Sequence, residues 1–252
     1  MKSRRRQRGF IINPFVLASG SSTPQPTFSN VKFGANFTGT DGQTSATDFS
    51  TSARTITFNA NAQIDTADST FGAGSSLLLD GNGDYVDMPD SADWAPGNNV
   101  DFCWEFVVKP NGSFGSNTDL LSQASGAGVY PIRIYRQSGS NGGVGVLSFN
   151  DAPGLDVNIT GGSLVDSAWS HVAVCREGTT LRLYVNGVQV QTATGVGNTR
   201  VDAGDTMKIG AYNPPNATQW NGWIQCARYT LGEAIYLGGT TFTPPSALFP
   251  TS

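Results

Sequence analysis

Short apolar runs alternate with clusters of Gly, Asn, Asp and Pro along most of the chain, and that rhythm leaves room for little but β-structure. Between 102 and 108, residues Phe102, Trp104, Phe106 and Val108 fall on one side, the period of two that a half-buried strand requires. Residues 132–136 and 144–149 alternate in the same way. Further runs occur at 31–33, 55–58, 76–79, 85–88, 170–176, 207–209 and 222–229. Asn186-Gly187 lies between the runs 181–185 and 188–190 and is the strongest hairpin signal, because both residues tolerate positive φ. No run has a convincing helical period. Helix formers for a surface are also scarce, with three Glu and four Lys in 252 residues. About a dozen short strands in one chain predict an all-β, two-sheet antiparallel sandwich.

The ends differ from this body. Lys2, Arg4, Arg5, Arg6 and Arg8 place five positive charges in the first eight residues, whereas the remainder carries ten positive and nineteen negative. Phe10, Ile11, Ile12, Phe15, Val16 and Leu17 follow, then a Ser-, Thr- and Pro-rich stretch that reads as a linker. Two units result: an arm with its linker over 1–26, and a sandwich over 27–252. An apolar segment of this kind is sticky unless it is covered. Arginines can grip carboxylate or phosphate with paired hydrogen bonds. The arm therefore suits an anchor, with Arg4, Arg5, Arg6, Arg8, Phe10, Ile11, Ile12 and Phe15 as the partner-binding residues. The acidic body argues against a nucleic-acid partner. No apolar run is long enough to span a membrane. The opening also imitates a signal peptide, although Asn13-Pro14 breaks its apolar stretch.

The order of local motifs resembles laminin-G-like domains of the concanavalin A-like jelly-roll group. Phe71-Gly72, residues 75–80 and Gly81-Asn82-Gly83-Asp84-Tyr85-Val86 are similar to the early signature of that family. Residues 101–106 ending at Lys109-Pro110 resemble the next. Trp169-Ser170-His171-Val172-Ala173-Val174 and Leu183-Tyr184-Val185-Asn186-Gly187 resemble the third. Ile209-Gly210 and 222–229 resemble the closing strands. The tail Phe242-Thr243-Pro244-Pro245 to Phe249-Pro250 is similar to members associated with bacteriophage and bacterial genomes. The resemblance covers roughly 28–250. It implies a jelly roll whose relatives bind glycans or proteins. Many relatives carry an acidic residue at the position of Gln225 that helps hold a structural calcium. An amide is a weaker ligand for a hard cation. Asp41 and Asp48 could add oxygens, but no metal and no cofactor are expected.

The residues give little support to catalysis. Glycosidases need two carboxyl groups flanking the bond, and Glu105, Glu177 and Glu233 form no array. Glu105 reads as an outward-facing sheet residue. His171 is the single histidine, without a nucleophile elbow to serve, and reads as structural. Cys103, Cys175 and Cys226 cannot all pair within one chain, and read as buried small hydrophobes from a reducing compartment. Aromatic residues are the better lead. Trp104 and Trp169 read as core, and Trp94 as a cap on the sandwich edge. Tyr212, Trp220 and Trp223 bracket the polar loop 213–219 and are the candidate ligand-binding set, offering apolar faces and an N–H to a sugar or protein. Packing of Trp220 against the sheet is the competing reading.

The resulting expectation is a non-enzymatic bacteriophage virion protein, either a capsid decoration or a fibre-like component. The arm would bind other virion proteins of capsid or tail, and the head would display a lectin-like surface toward host glycans. A homo-oligomer is expected, located in the virion and assembled in the host cytoplasm. The alternative is a secreted bacterial carbohydrate-binding lectin or adhesin.

Overall fold

The computed structural model describes residues 23–124, 129–151, 154–212, 218–238 and 241–252, so the arm residues Arg4 to Phe15 lie outside the described part. The described strands are β1 (Val31–Asn36), β2 (Thr57–Asn59), β3 (Gln63–Asp65), β4 (Ser76–Asp80), β5 (Tyr85–Met88), β6 (Phe102–Pro110), β7 (Thr118–Ser122) and β8 (Arg133–Arg136). They continue with β9 (Val144–Asn150), β10 (Gly154–Gly161), β11 (Ser170–Glu177), β12 (Thr180–Val185), β13 (Val188–Thr194), β14 (Met207–Ile209) and β15 (Asn221–Leu231). All pairings between them are antiparallel, and they form two sheets.

The eight-stranded sheet runs β13-β12-β11-β6-β15-β4-β3, with β1 also on β15; the seven-stranded sheet runs β10-β9-β8-β7-β14-β5-β2. Trp104, Phe106, Val108, Val174, Leu183 and Tyr229 of the first sheet meet Val86, Leu121, Ile134, Val146 and Ile209 of the second, all buried in one apolar core. Trp104 stacks on Tyr229 with centroids 4.4 Å apart and lies 5.8 Å from Trp94, which is itself buried. Alternation decides these positions, because every second residue of β6 turns inward. The Asn186-Gly187 hairpin forms as expected, with φ of 51° and 77°.

β15 is the organising strand. Its residues 221–224 pair with β4 and its residues 226–230 pair with β1, so two strands share one edge end to end. Gln225 stands at the joint, where the register against β6 also shifts.

The outward side of the eight-stranded sheet carries a second apolar layer. Cys103, Ala173, Cys175 and Tyr184 are covered by Ala234, Ile235 and Tyr236, and Val107 and Cys226 by Phe249. The C-terminal strap that does this, residues 234–238 and 241–249, is irregular and crosses the strands. It is tied to the hairpin by the Phe242 amide, which donates to the Gly187 carbonyl at 2.8 Å. A Cβ on residue 187 would sit 2.1 Å from the Phe242 carbonyl oxygen, so glycine serves both the turn and the strap.

The cysteine expectation is corrected. Cys103 and Cys175 are cross-strand partners of β6 and β11 and form a disulfide, which leaves Cys226 free and buried.

Candidate functional site

The outward side of β6 presents Cys103, Glu105, Val107 and Lys109 in sequence order. Register sets their neighbours: Glu105 stands between Ala173 and Arg228, and Val107 between His171 and Cys226. Glu105 is buried and fully engaged. Its Oε1 accepts from Arg228 Nε at 2.7 Å, and its Oε2 from the Tyr236 hydroxyl at 2.8 Å. The same Oε2 is 3.2 Å from His171 Nε2. Burial opposes ionisation of Glu105, but Arg228, His171 and Tyr236 outweigh it and hold the carboxyl below its ordinary range. Burial and the adjacent carboxylate push the Tyr236 phenol far up. Arg228 also donates to Gln25 Oε1 at 2.9 Å and lies 4.2 Å from the Phe249 ring. Glu105 therefore faces outward as its position in the strand required, but the strap seals it from solvent.

Beside this cluster lies an open cleft of about 210 Å3. It is lined by Thr70, Phe71, Val107, Trp169, Ser170, His171, Asn186, Pro244 and Pro245. Phe71 and Trp169 are half-buried and pack against the Val107, Cys226 and Phe249 cluster. Phe71 has φ of 59°, a left-handed conformation uncommon for a bulky residue. Gln225 helps hold that loop: its Oε1 accepts from the Thr70 amide at 2.8 Å and its Nε2 donates to the Ser75 carbonyl at 2.9 Å. Trp169 donates its Nε1–H to Asp68 at 3.1 Å, and Asp68 also pairs with Lys109. Lys109 in turn lies 5.3 Å from the Trp223 ring. His171 is 4% exposed, and its Nδ1 has no hydrogen-bond partner. A wider cleft of about 340 Å3, lined by Asn36, Thr38, Thr47, Phe49, Leu248 and Thr251, has no such buried orphan in its lining.

The three aromatic residues singled out from the sequence are not brought together. Trp220 is fully buried, edge-on to Phe114 at 5.7 Å, so packing against the sheet is what it does. Its indole nitrogen is buried without a partner, so it is not presented to solvent. Tyr212 is half-buried, 4.7 Å from the Arg133 guanidinium, which belongs to the seven-stranded sheet. Trp223 lies outward on the eight-stranded sheet, and its N–H is taken by Asp65 at 2.8 Å. Trp169, read from sequence as core, is partly buried against the Val107, Cys226 and Phe249 cluster and also lines the cleft. Phe71, His171 and Asn186 were visible only as motif residues, and nothing local marked the cleft they share.

The acidic residues have structural partners. Glu177 pairs with Arg182 at 2.7 Å, and Glu233 accepts from Asn30 Nδ2 at 3.0 Å and the Thr27 amide at 2.9 Å. Asp48 caps the Gly34, Ser50 and Arg54 amides at 2.8–2.9 Å, and Asp41 accepts from Thr66. The Gln225 amide is thus spent on loop closure.

A model of the concanavalin A-like lectin/glucanases superfamily, named Laminin_G_3, matches residues 80–229 of this fold. The chain belongs to that family. No curated protein matches it. Among solved structures, the laminin G-type chain is similar to domain 4 of AbnA, a GH43 extracellular arabinanase from Geobacillus stearothermophilus, in complex with arabinotriose. That likeness has 17% identity and a TM-score of 0.57, over 82% of this chain and 94% of the other. It is also similar to the botulinum neurotoxin serotype G binding domain, at 11% identity and a TM-score of 0.61, over 82% of this chain and 49% of the other. The serotype D ligand-binding domain in complex with N-acetylneuraminic acid aligns at 12% identity and a TM-score of 0.59, over 83% and 49%. The laminin G-type chain spans about half the length of those toxin domains. At such identities the likeness establishes the fold.

Proposed function

We propose that this chain is a non-enzymatic, lectin-like binding module that takes a sugar in the cleft between Phe71, Trp169 and Pro244-Pro245. The observation that carries the reading is an open cleft lined by two partly exposed aromatic residues, Phe71 and Trp169, together with Ser170, Asn186, Pro244 and Pro245. Aromatic faces suit the C–H side of a sugar ring, and a small number of fixed polar atoms gives orientation. Fold neighbours crystallised with arabinotriose and with N-acetylneuraminic acid support it by analogy.

The test is titration of the full chain with arabinotriose, cellotriose, maltotriose and N-acetylneuraminic acid, followed by saturation-transfer NMR. Trp169→Ala should lower affinity about tenfold, equivalent to about 1.4 kcal/mol, with little change in urea stability. Equal affinity in the variant rejects this cleft.

We further propose that the module is displayed on a bacteriophage virion through residues 1–18. The basic and apolar sequence of that segment supports an anchor. The Cys103–Cys175 disulfide fits a particle surface and fits equally the alternative of a secreted lectin.

A further inference from the structure

We propose that the C-terminal strap is a hinged cover that controls thiol access to the Cys103–Cys175 disulfide, and that a ligand in the cleft holds this cover shut. Both cysteines are buried on the outward side of β6 and β11, directly under Ala234, Ile235 and Tyr236. A thiolate must reach a sulfur to exchange with the bond, so access decides whether reduction occurs. The strap leaves β15 at Gly232, where φ of 89° favours glycine and turns the chain out of the strand. Among the described residues the strap forms no ladder with the sheet and meets it in one isolated bridge, Thr241 to Val188. Its fastenings are local. The Tyr236 hydroxyl donates to Glu105 at 2.8 Å, the Tyr184 hydroxyl donates to the Tyr236 carbonyl at 3.2 Å, and Asn36 brackets the Phe249 backbone at 2.8 and 3.1 Å. Tyr236 and Phe242 stack with centroids 3.6 Å apart, which joins the two described parts of the strap. A segment outside the ladder opens locally at lower free energy than central strands such as β6 and β11.

In the open form a small dithiol can complete the exchange. One of its thiolates attacks a cysteine sulfur, forms a mixed disulfide and releases the other cysteine as a thiolate. Its second thiolate then closes the dithiol's own disulfide and frees the second cysteine, so two electrons and two protons pass to the protein. The cover also carries Pro244 and Pro245 into the lining of the cleft, beside Phe71 and Trp169. A ligand that needs this lining binds the closed form and lowers the open population by linkage. The coupling rests on the glycan-binding reading above; the cover itself does not.

The experiment follows reduction of the folded full chain by dithiothreitol, with thiol trapping and mass spectrometry, across urea concentrations below the unfolding transition. Reduction should depend on urea much more weakly than global unfolding does, because opening the strap exposes little surface. Tyr236→Phe should speed reduction about tenfold, as loss of a hydrogen bond to a charged group implies. Phe242→Ala should act in the same direction. Reduction as fast as in the urea-unfolded chain means that nothing seals the bond. A urea dependence as steep as that of global unfolding means that only complete unfolding exposes it. Either result overturns the cover, as does a wild-type rate in both variants. A sugar at about ten times its Kd should slow reduction about elevenfold. A sugar that binds with the expected Trp169→Ala loss but leaves the rate unchanged overturns the coupling. If none of the four sugars binds, the coupling falls with the glycan-binding reading, while the urea and variant comparisons decide the cover.

Discussion

Replacing Glu105 by Gln should remove a large part of the stability of this domain. The change keeps shape and volume but deletes a charge that is completely buried, while Arg228, itself about 1% exposed, stays in place. Breaking a buried pair from one side costs about 3–5 kcal/mol, because the surviving charge is left uncompensated. A domain has only about 5–15 kcal/mol in total. The melting temperature should therefore fall by roughly 6–20 °C for a domain of this size. Urea titration followed by tryptophan fluorescence will report it, since Trp94 and Trp104 are in the core. Acid adds a second signature. The folded Glu105 carboxyl lies below its ordinary range, so its stabilisation is complete above the unfolded value of about 4.3 and is lost as pH falls through the lower, folded value. Glu105→Gln should lack that contribution to the acid slope. A loss under about 1 kcal/mol with an unchanged slope would mean that the cluster is screened as a surface pair is, and the argument from burial would fail.

Reduction of Cys103–Cys175, or its replacement by Ala at both positions, should cost about 4 kcal/mol for a sequence separation of 72, measured by urea unfolding with and without reductant. Trp220→Ala should destabilise by about 3–5 kcal/mol, and sugar affinity of the folded fraction should stay unchanged in the titration used for Trp169. Deleting residues 1–18 should leave the circular dichroism and melting of the head intact while abolishing association with purified phage particles; loading of the truncated chain would remove the anchor proposal.

Strands with clean alternation, such as β6, β8 and β9, could be read directly from the residues, and so could the hairpin at Asn186-Gly187. The strands that were not anticipated, β3, β7 and β10, each blur that period. β7 is buried on both faces and shifts register between Asp119 and Leu121, so its apolar residues do not alternate. β10 is a sheet edge rich in Gly, Asp and Asn, residues that ordinarily mark turns. β3 has three residues. The site was harder to see for a different reason. Trp220 and Trp223 are close in sequence, but an odd spacing near the start of a strand sends side chains to opposite faces. The pairing of Cys103 with Cys175 depends on the register of β6 against β11, which no local pattern reveals. Glu105 reads as exposed until the strap, more than a hundred residues away, is laid over it.

The position of β15 in the eight-stranded sheet also sets a timetable for synthesis. β15 fills the gap between β6 and β4, yet it is made long after both. β11 can pair with β6 as soon as residue 177 has emerged, but the other edge of β6 and one edge of β4 stay bare until about residue 231. The strap that covers the sheet comes later still. Pairing so distant in sequence is slow, and open edges of this kind invite contact between chains. A nascent chain halted between these points therefore exposes its stickiest surface, and chaperone demand during synthesis should be greatest there.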